Sequence, residues 1–366
     1  MAKREQKTHR KQKGSRVQKK RLGKASVLIG VLAFVALLFS AAGLFVFQKL
    51  NRINYDSGQI QADDVATENV AVETAETETE DVLTDDDVRD LEDTQTILSD
   101  MEIFSDSDIY NILLLGTDER KKEFSTNARA DSIMILSLNK EQGSMKLVSL
   151  ERGMGVPILE GQYQGQYDWL THCFRYGGAD LMMKEIRECL RVDVDRYVRV
   201  NFNTFEQLIN AVGGVDIELT EAEVKGLNGL VRTNARTKHE VVVGLNHLDG
   251  YDALQYSRLR YIDSDWKRIQ RQRNVIQSVV KAAKGKNLVE INGMIDTVLP
   301  LIQTNLTKME ILELAMFAPN VLGADCEQMS IPQKGTYGGM KGMGGRSLYA
   351  VDFEKNAQIL RDFLEE

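Results

Sequence analysis

Aspartates that border two short apolar runs are the first residues in this sequence able to do chemistry. Asp118 lies just after the apolar run 112–115, and Asp131 directly precedes the run 132–138. If the two runs form neighbouring antiparallel strands, both aspartates flank one loop at the same end of a sheet. Such a pair suits Mg2+ or Mn2+, because these hard cations take a few carboxylates and complete their coordination with water and phosphate oxygens. A solvated, charged loop is the alternative interpretation.

A dense basic segment lies further along the chain. Residues 258–273 contain five arginines and one lysine against two aspartates. Asp265 is expected to cap a helix that begins at Trp266, and helical spacing places Arg268, Arg271 and Gln272 on one face of that helix. An arginine-rich helix start suits a phosphate group, because guanidinium makes two parallel hydrogen bonds and the helix dipole favours an anion. A salt-bridged, solvent-facing helix is the alternative.

Arg152 and His172 are further polar residues near predicted element ends. Arg152 follows the apolar run 145–150 by one residue, and His172 is isolated. We interpret His172 as a structural hydrogen-bonding residue rather than a catalyst. The sequence contains no HExxH, GxSxG or P-loop motif, so it does not match the enzyme classes that these motifs mark.

Strands and helices alternate throughout the region that would position these residues. Their mixture over about 260 residues predicts a single α/β domain with helices on both faces of a sheet. A hairpin turn is expected at 139–143. Strands are predicted near 112–115, 132–138, 145–150, 197–202 and 215–219, and helices near 179–191, 204–212, 251–257, 266–284, 288–301, 308–318 and 352–364.

The charge distribution predicts a membrane protein. The net charge of −8 hides a basic N-terminus and an acidic stretch from 55 to 108. Residues 25–47 carry no charge, and a helix of that length can cross a hydrocarbon core of about 30 Å. The positive-inside rule places the N-terminus in the cytoplasm and the rest outside the cell. A cleaved signal peptide is the alternative. The predicted organisation is a basic cytoplasmic tail at 1–24, a transmembrane helix at 25–47, a mostly disordered acidic extracellular stalk at 48–108 and a folded domain at 109–366.

Composition excludes several classes of protein. A hydrophobic fraction of 43% excludes a wholly disordered chain, and three cysteines exclude a disulfide scaffold or a cysteine-rich zinc module. We expect Cys173, Cys189 and Cys326 to be buried thiols, and a Cys173–Cys189 disulfide stays open. Nucleic acid is not an expected partner, because the basic patch is compact and lies outside the cell.

Taken together and in order, these segments resemble the LytR-CpsA-Psr family of cell-wall glycopolymer transferases. The resemblance is strong over about residues 109–285. The segments that carry it are Asn111 to Arg120, Arg129 to Ser132, Val148 to Arg152, Tyr176 to Ala179, Val200 to Phe202, Gly213 to Asp216, Tyr256 to Arg260 and Arg268 to Arg273.

This resemblance implies a three-layer α/β/α sandwich with a central mixed sheet. It implies an enzyme of the cell membrane that moves a glycopolymer, such as teichoic acid or capsule polysaccharide, from a polyprenyl diphosphate to peptidoglycan. The lipid tail would lie in an apolar tunnel, and Mg2+ and arginines would stabilise the departing diphosphate. By motif, Asp118 and Asp131 would be the metal ligands, and Arg129, Arg152 and Arg258 the catalytic residues. The diphosphate-binding set would be Arg129, Arg152, Arg258, Arg260, Arg268, Arg271 and Gln272.

Two positions depart from the family pattern. Arg152-Gly153-Met154 stands where the family usually has Arg-Asp-Thr, and Thr171-His172 stands where it usually has Asn-His. The missing aspartate is a candidate for activating the acceptor hydroxyl. A weakly active or non-catalytic regulator of cell-envelope assembly that still binds the lipid diphosphate is therefore the alternative function.

Overall fold

The computed structural model describes residues 50–55, 101–119, 124–125, 127–231, 240–260, 262–284, 286, 288–322 and 325–366. The chain divides into two compact units, Met1–Arg52 and Ile53–Glu366. The predicted cytoplasmic tail, the segment 25–47 and most of the acidic stalk lie outside the described residues. Within the described ranges, no helix has the length and apolar character needed to cross a membrane.

A seven-stranded mixed sheet forms the centre of the second unit. Its spatial order is β1-β10-β7-β2-β3-β4-β11. The pairs β2/β7 and β4/β11 are parallel, whereas β2/β3 and β3/β4 are antiparallel. The seven strands are β1 (Asn54–Tyr55), β2 (Ile109–Thr117), β3 (Ala130–Asn139), β4 (Ser144–Leu150), β7 (Arg196–Asn201), β10 (Gln303–Thr304) and β11 (Cys326–Ile331).

Three two-stranded ribbons and eight described helices complete the element list. The ribbons pair β5 (Gly155–Pro157) with β6 (Tyr167–Trp169), β8 (Val215–Leu219) with β9 (Gly244–Leu248), and β12 (Tyr337–Lys341) with β13 (Ser347–Val351). The helices are α1 (Leu170–Leu190), α2 (Phe202–Val212), α3 (Glu221–Val231), α4 (Gly250–Ser257), α5 (Asp265–Lys284), α6 (Leu288–Val298), α7 (Lys308–Leu322) and α8 (Phe353–Glu365).

Alternating side chains give the sheet two apolar faces, so helices cover both. Leu113 of β2 is fully buried in the larger core, which also contains residues of α1 and α8. Its neighbour Ile112 points to the opposite face, where Val280 of α5 and Leu314 of α7 pack. The predicted mixed α/β fold with a central mixed sheet is therefore confirmed, and its layers are helix, sheet and helix. A separate core joins α2, α3, α4 and α5 to the β8/β9 ribbon.

Two glycines account for the largest difference between predicted and observed helix boundaries. Helix α1 begins at Leu170, nine residues before the predicted start at 179. Gly177 and Gly178 have non-helical backbone angles, and Gly178 has a φ of 67°. They separate two helical segments, so the helix predicted from 179 is confirmed, and the segment from Leu170 to Tyr176 is an additional one that the sequence did not predict. Residues on both sides of the kink belong to the larger core, and Thr171, before the kink, donates to the carbonyl of Ala130 in β3 at 2.8 Å.

Gly250 allows the close approach of α4 to α2. A Cβ atom built at Gly250 would lie 2.1 Å from the backbone oxygen of Glu206. Both partners sit on helix backbone, so the contact is relieved only by moving a helix. The chain that follows α4 carries Arg258 and Arg260, and the contact therefore helps to position both.

We expect Gly250→Ala to lower the free energy of unfolding by about 1–3 kcal/mol, because overpacking forces backbone shifts. The matched control is Gly229→Ala in α3, where an added Cβ meets no described atom within 4 Å. That change should raise the free energy of unfolding by about 0.4–1 kcal/mol, because alanine lowers the conformational entropy of the unfolded chain. Denaturant unfolding of both variants measures the difference, and equal midpoints would contradict the proposed packing constraint.

Candidate active site

The predicted site residues gather at one edge of the central sheet. The register pairs Thr117 at the end of β2 with Ala130 at the start of β3 and with Asn201 at the end of β7. Leu150 at the end of β4 pairs with Ile331 at the end of β11. The carboxyl ends of four strands therefore meet at this edge, which is where open α/β sheets usually bind ligands.

Asp118 and Asp131 flank one loop at this edge, as predicted. The Asp118 carboxylate accepts hydrogen bonds from the backbone N–H of Arg129 at 3.0 Å and from its Nε at 3.1 Å. The backbone N–H of Asp118 donates in turn to the carbonyl of Arg129 at 3.2 Å. Arg129 and Asp118 thus close the base of the β2/β3 connection, and both side chains keep part of their surface exposed.

Asp131 is the first of two carboxylates that gather the arginines. Arg152 Nη1 donates to it at 3.1 Å, and Arg260 Nη2 lies 3.9 Å from its second oxygen. Burial raises the pKa of Asp131, but Arg152, with Arg268, Arg129 and Arg260, more than offsets this and holds the pKa below its ordinary value. Asp131 therefore stays ionised.

Asp265 is the second such carboxylate. Arg268 Nη2 donates to it at 2.8 Å, and Arg152 Nε lies 3.7 Å away. Its predicted role as the helix cap is wrong, because Asp265 is already the first residue of α5. The carbonyl of Ser264 accepts the N–H groups of Lys267 and Arg268. Arg268 is three positions after Asp265, so their side chains meet on one helical face.

Arg268 is nearly enclosed, with 4% of its side chain exposed. Burial, followed by the neighbouring charge of Arg152, lowers its pKa from the ordinary value. Its Nε makes no hydrogen bond within the described part of the chain. Arg152 and Arg268 converge as predicted, since both contact Asp265, whereas Arg258, predicted to point into the same pocket, lies over the Phe202 ring. This arrangement leaves a buried donor ready for an anion.

The three remaining members of the predicted diphosphate set have different surroundings, and of these Arg271 is held away from Asp131 and Asp265. Arg258 is exposed, with its guanidinium 4.3 Å from the centre of the ring of Phe202, the first residue of α2, which directly follows β7. Arg271 makes two hydrogen bonds to Asp263, at 2.7 and 2.8 Å, and one to the carbonyl of Leu259. These contacts of Arg271 join α5 to the segment that precedes it, and they do not involve Asp131 or Asp265. Gln272 is half-buried one helical turn beyond Arg268.

Glu151 is a residue that the sequence interpretation did not select. Only 2% of it is exposed, and its Oε1 accepts the backbone N–H of Gly153 at 3.1 Å. Burial raises its pKa to about 8; the neighbouring Asp265 adds to the rise, and Arg268 opposes it. The signal in the sequence is a charged residue directly after the buried strand β4.

Asp168 anchors a second polar group next to the larger core. His172 Nδ1 lies 2.9 Å from its carboxylate, and the Tyr176 hydroxyl donates to the same oxygen at 2.5 Å. Arg346 donates to that oxygen at 3.2 Å. These bonds give His172 the structural role expected for it. Cys173 and Cys189 are buried free thiols, so the open disulfide alternative is wrong. Cys326 is also a free thiol but is only half-buried, so its predicted burial is wrong.

The donor atoms at the sheet edge constrain any metal site. No group of three or more His, Cys, Asp or Glu side chains that could hold a metal occurs in the described ranges. Asp118 and Asp131 are therefore two carboxylates that would need further oxygen ligands from outside the protein. This fits Mg2+, which commonly takes one or two carboxylates together with substrate phosphates.

Comparisons with known proteins extend over most of the chain. The sequence profile of the LytR_cpsA_psr family matches residues 66–362. The polyisoprenyl-teichoic acid–peptidoglycan teichoic acid transferase TagU of Bacillus cereus is 32% identical over 234 residues, which are 63% of this chain and 71% of TagU. The corresponding transferase TagT of Bacillus subtilis is 27% identical over 322 residues, 86% of this chain and 88% of TagT.

A solved structure supports the same relationship. The structure described as TagT bound to LIIa-WTA has a TM-score of 0.57 and 26% identity to this chain. The match covers 74% of this chain and 95% of that one. The similarity therefore extends over most of both chains.

The raised pKa of Glu151 predicts how stability depends on pH. In the unfolded chain this carboxyl loses its proton near its ordinary pKa of 4.5, whereas the folded protein keeps it until about pH 8. The folded state therefore binds more protons between these values, and the free energy of unfolding falls as pH rises through them. We expect Glu151→Gln to make this fall shallower in denaturant unfolding measured across the window.

The control is Glu354→Gln, at an exposed position in α8, which should keep the wild-type pH dependence. Glu185, buried in α1 with its pKa also raised to about 8, contributes equally to all three proteins. An unchanged slope in Glu151→Gln would show that Glu151 is ionised in the folded protein at neutral pH.

Proposed function

The chain belongs to the LytR-CpsA-Psr family, and we propose that it transfers a glycopolymer from a polyprenyl diphosphate carrier to peptidoglycan. The names of its relatives TagU and TagT describe the transfer of teichoic acid from a polyisoprenyl carrier to peptidoglycan. Teichoic acid is therefore the glycopolymer we favour, with capsule polysaccharide as a second candidate. The N-terminal segment 25–47 would anchor the enzyme in the cell membrane, with its C-terminal domain outside.

One observation carries this proposal: the convergence of arginines on Asp131 and Asp265. Arg152 contacts both carboxylates, and the buried Arg268 has an Nε donor without a protein partner. With Glu151 neutral, the positive charges outnumber the negative ones, which favours an anion. The positive charges are those of Arg129, Arg152, Arg260 and Arg268, and the negative charges are those of Asp118, Asp131 and Asp265.

The arginines would act on the charge that develops during transfer. An acceptor hydroxyl oxygen of peptidoglycan forms a bond to the phosphorus that carries the glycopolymer. The bond from that phosphorus to the bridging oxygen breaks, and the lipid leaves as a monophosphate. Arg152 and Arg268 would bind the phosphate oxygens through charge-assisted hydrogen bonds, which strengthen as negative charge collects on the leaving group.

Asp118 and Asp131 would hold Mg2+ (or Mn2+) once the diphosphate supplies further oxygen ligands. The bound cation would supply additional neutralisation of the phosphate charge. Because both aspartates are paired with arginines in the structure, diphosphate binding would compete for those arginines and free carboxylate oxygens for the cation.

Helices α5 and α7 cover the face of the sheet that we propose for the lipid tail. Leu114, Leu136 and Val198 project from that face and are only partly buried. On the opposite face, the corresponding side chains Leu113 and Ile135 are fully buried. Incomplete burial of adjacent aliphatic side chains supports a binding surface for an apolar chain.

A regulator that binds the lipid diphosphate without turnover is the second candidate. It is favoured by Gly153, which places no carboxyl where the family usually has an aspartate. The two candidates share the arginine site and differ only in whether an acceptor hydroxyl is activated. Measuring polymer on peptidoglycan and bound lipid in the same reaction distinguishes them.

Arg152→Lys tests the arginine site directly. Lysine keeps the charge but cannot contact Asp131 and Asp265 with separate nitrogen atoms of one planar group. We expect the affinity for a polyprenyl-diphosphate-linked teichoic acid to fall roughly 10- to 100-fold, as for lost charge-assisted hydrogen bonds. The measurement uses the full-length chain in detergent, with transfer to peptidoglycan followed in parallel.

Arg187→Lys is the matched control. Arg187 forms a partly exposed ion pair with Asp193 at 2.5 Å in the connection after α1, and such pairs contribute little. It should bind and transfer like the wild type. If both variants bound the donor as well as the wild type, the arginine cluster would be a solvated structural feature and the proposed site would be wrong.

A further inference from the structure

Three aromatic rings pack together beside the arginine site, and we call them the aromatic platform. The centre of the Trp266 ring lies 5.7 Å from that of Tyr337 and 6.4 Å from that of Tyr349. The two tyrosine rings meet edge to face, with their centres 5.4 Å apart. All three residues are half-buried, so each keeps part of its surface in contact with solvent.

The aromatic platform adjoins the arginines along the chain at two points. Trp266 directly follows Asp265, one of the two carboxylates that hold Arg152. The backbone N–H of Tyr349 donates to the carbonyl of Gly153 at 3.0 Å, and Gly153 directly follows Arg152. The platform therefore lies next to the groups that we propose for diphosphate binding.

Two glycines leave room for the Tyr349 ring. A Cβ atom built at Gly153 would lie 3.2 Å from two carbons of that ring, which is closer than ordinary van der Waals contact. Gly339 pairs with Tyr349 in the β12/β13 ribbon and presents no side chain beside it. Tyr337 lies two residues before Gly339, so both tyrosines project from the same face of the ribbon. The side chain closest to the space that a residue at 153 would fill is thus an aromatic ring.

The platform offers a ligand both apolar and polar contacts. Tyr337 and Tyr349 pack on the larger core, and Trp266 contacts their rings from α5. A partly exposed aromatic surface beside a few charged groups is typical of a ligand site. A sugar ring matches it, because one face of the sugar carries C–H groups that suit the negative face of an aromatic ring, while its edge carries hydroxyls.

We propose that the aromatic platform binds a sugar ring next to the phosphate held by Arg152 and Arg268. This inference rests on the proposed transferase function and adds what the site recognises beyond the phosphate. Two sugars approach that phosphate during transfer: the first sugar of the glycopolymer, and the peptidoglycan sugar that bears the acceptor hydroxyl. Both have the same chemistry, so the experiment has an arm for each.

The platform supplies a selectivity that the arginines lack. Guanidinium groups bind phosphate oxygens whatever the phosphate carries. Stacking on an aromatic face requires a ring of suitable shape at a fixed distance from the phosphate. A phosphate that carries a sugar therefore gains from both parts of the site, whereas a sugar-free diphosphate gains from the arginines alone.

Trp266→Leu tests the platform, because leucine keeps apolar packing on the tyrosines but has no ring face. Binding to the full-length chain in detergent is compared for a sugar-free polyprenyl diphosphate and for the same lipid carrying a single N-acetylglucosamine. If the donor sugar is the occupant, the variant should bind the sugar-free lipid like the wild type and the sugar-bearing lipid roughly 10-fold more weakly. If the acceptor sugar is the occupant, both affinities should stay and the KM for peptidoglycan should rise roughly 10-fold.

Tyr163→Leu is the matched control. Tyr163 is a half-buried aromatic residue in the connection between β5 and β6, and its ring centre lies 4.6 Å from that of Tyr176. The control should keep both lipid affinities and the KM for peptidoglycan. Trp266→Phe keeps a smaller ring at the platform and should lie between the wild type and Trp266→Leu.

Tryptophan fluorescence follows the platform without turnover. The chain has two tryptophans, and the indole N–H of the other one, Trp169, donates to the carbonyl of Ser347 at 2.8 Å. In the wild type, either the sugar-bearing lipid or a soluble glycan fragment of peptidoglycan should change the emission more than the sugar-free lipid does. Trp266→Leu should abolish this difference.

Three results would overturn the inference. The first is a wild type whose emission responds to no sugar, whatever the variant does. The second is a Trp266→Leu variant, folded by circular dichroism, that keeps both lipid affinities and the KM for peptidoglycan. The third is a folded variant that loses affinity for both lipids equally, since Trp266 would then only support the arginines.

The proposed function has a separate outcome in the same experiments. Polymer transfer by the wild type would uphold the function even if Trp266→Leu overturned the sugar site. A wild type that shows the sugar-dependent emission but transfers no polymer would overturn the function and leave the sugar site in place.

Discussion

Charge balance at one edge of the sheet is the constraint on which the site depends. Arg152 and Arg268 would repel each other at close range, and both are largely withdrawn from water. Asp131 and Asp265 make their convergence possible, because each carboxylate bridges two guanidinium groups. Leaving either charge buried and unpaired would cost several kcal/mol. The strand ends and the first turn of α5 are placed so that these four side chains meet.

The strands and the helix that carry these side chains are arranged so that the charges can meet. Asp131 is the second residue of β3, Arg152 follows β4, and Arg268 lies in the first turn of α5. The antiparallel register of β3 and β4 brings the first two together. Helix α5, which carries Arg268, is held in place by the separate core that it shares with the β8/β9 ribbon. The site is thus built at the junction of two apolar cores, and Arg271 links α5 to the segment before it through Asp263.

Much of this arrangement was predictable from local sequence, and the exceptions have physical reasons. Strand positions follow from apolar runs, and the Asp118–Asp131 loop follows from antiparallel pairing. The convergence of Arg152 and Arg268 was predictable only through the family resemblance, since more than 100 residues separate them. The burial of Glu151 and the pairing of Arg271 with Asp263 depend on tertiary contacts, which local periodicity does not encode. Asp265 looked like a helix cap because capping and ion pairing favour the same residue type at a helix start.

The kink at Gly177 and Gly178 has a consequence for how this protein can vary. The residues before it carry His172 and Tyr176 to Asp168, and those after it add Met182 and Ile186 to the larger core. Adding one residue to a helix turns everything beyond it by about 100°. An insertion in either half of α1 would therefore turn one set of contacts away from its partner while the other stayed in place. We therefore expect this helix to vary by exchange of side chains at constant length. The kink sets the number of residues between the His172 and Tyr176 contacts with Asp168 and the packing of the second segment in the larger core.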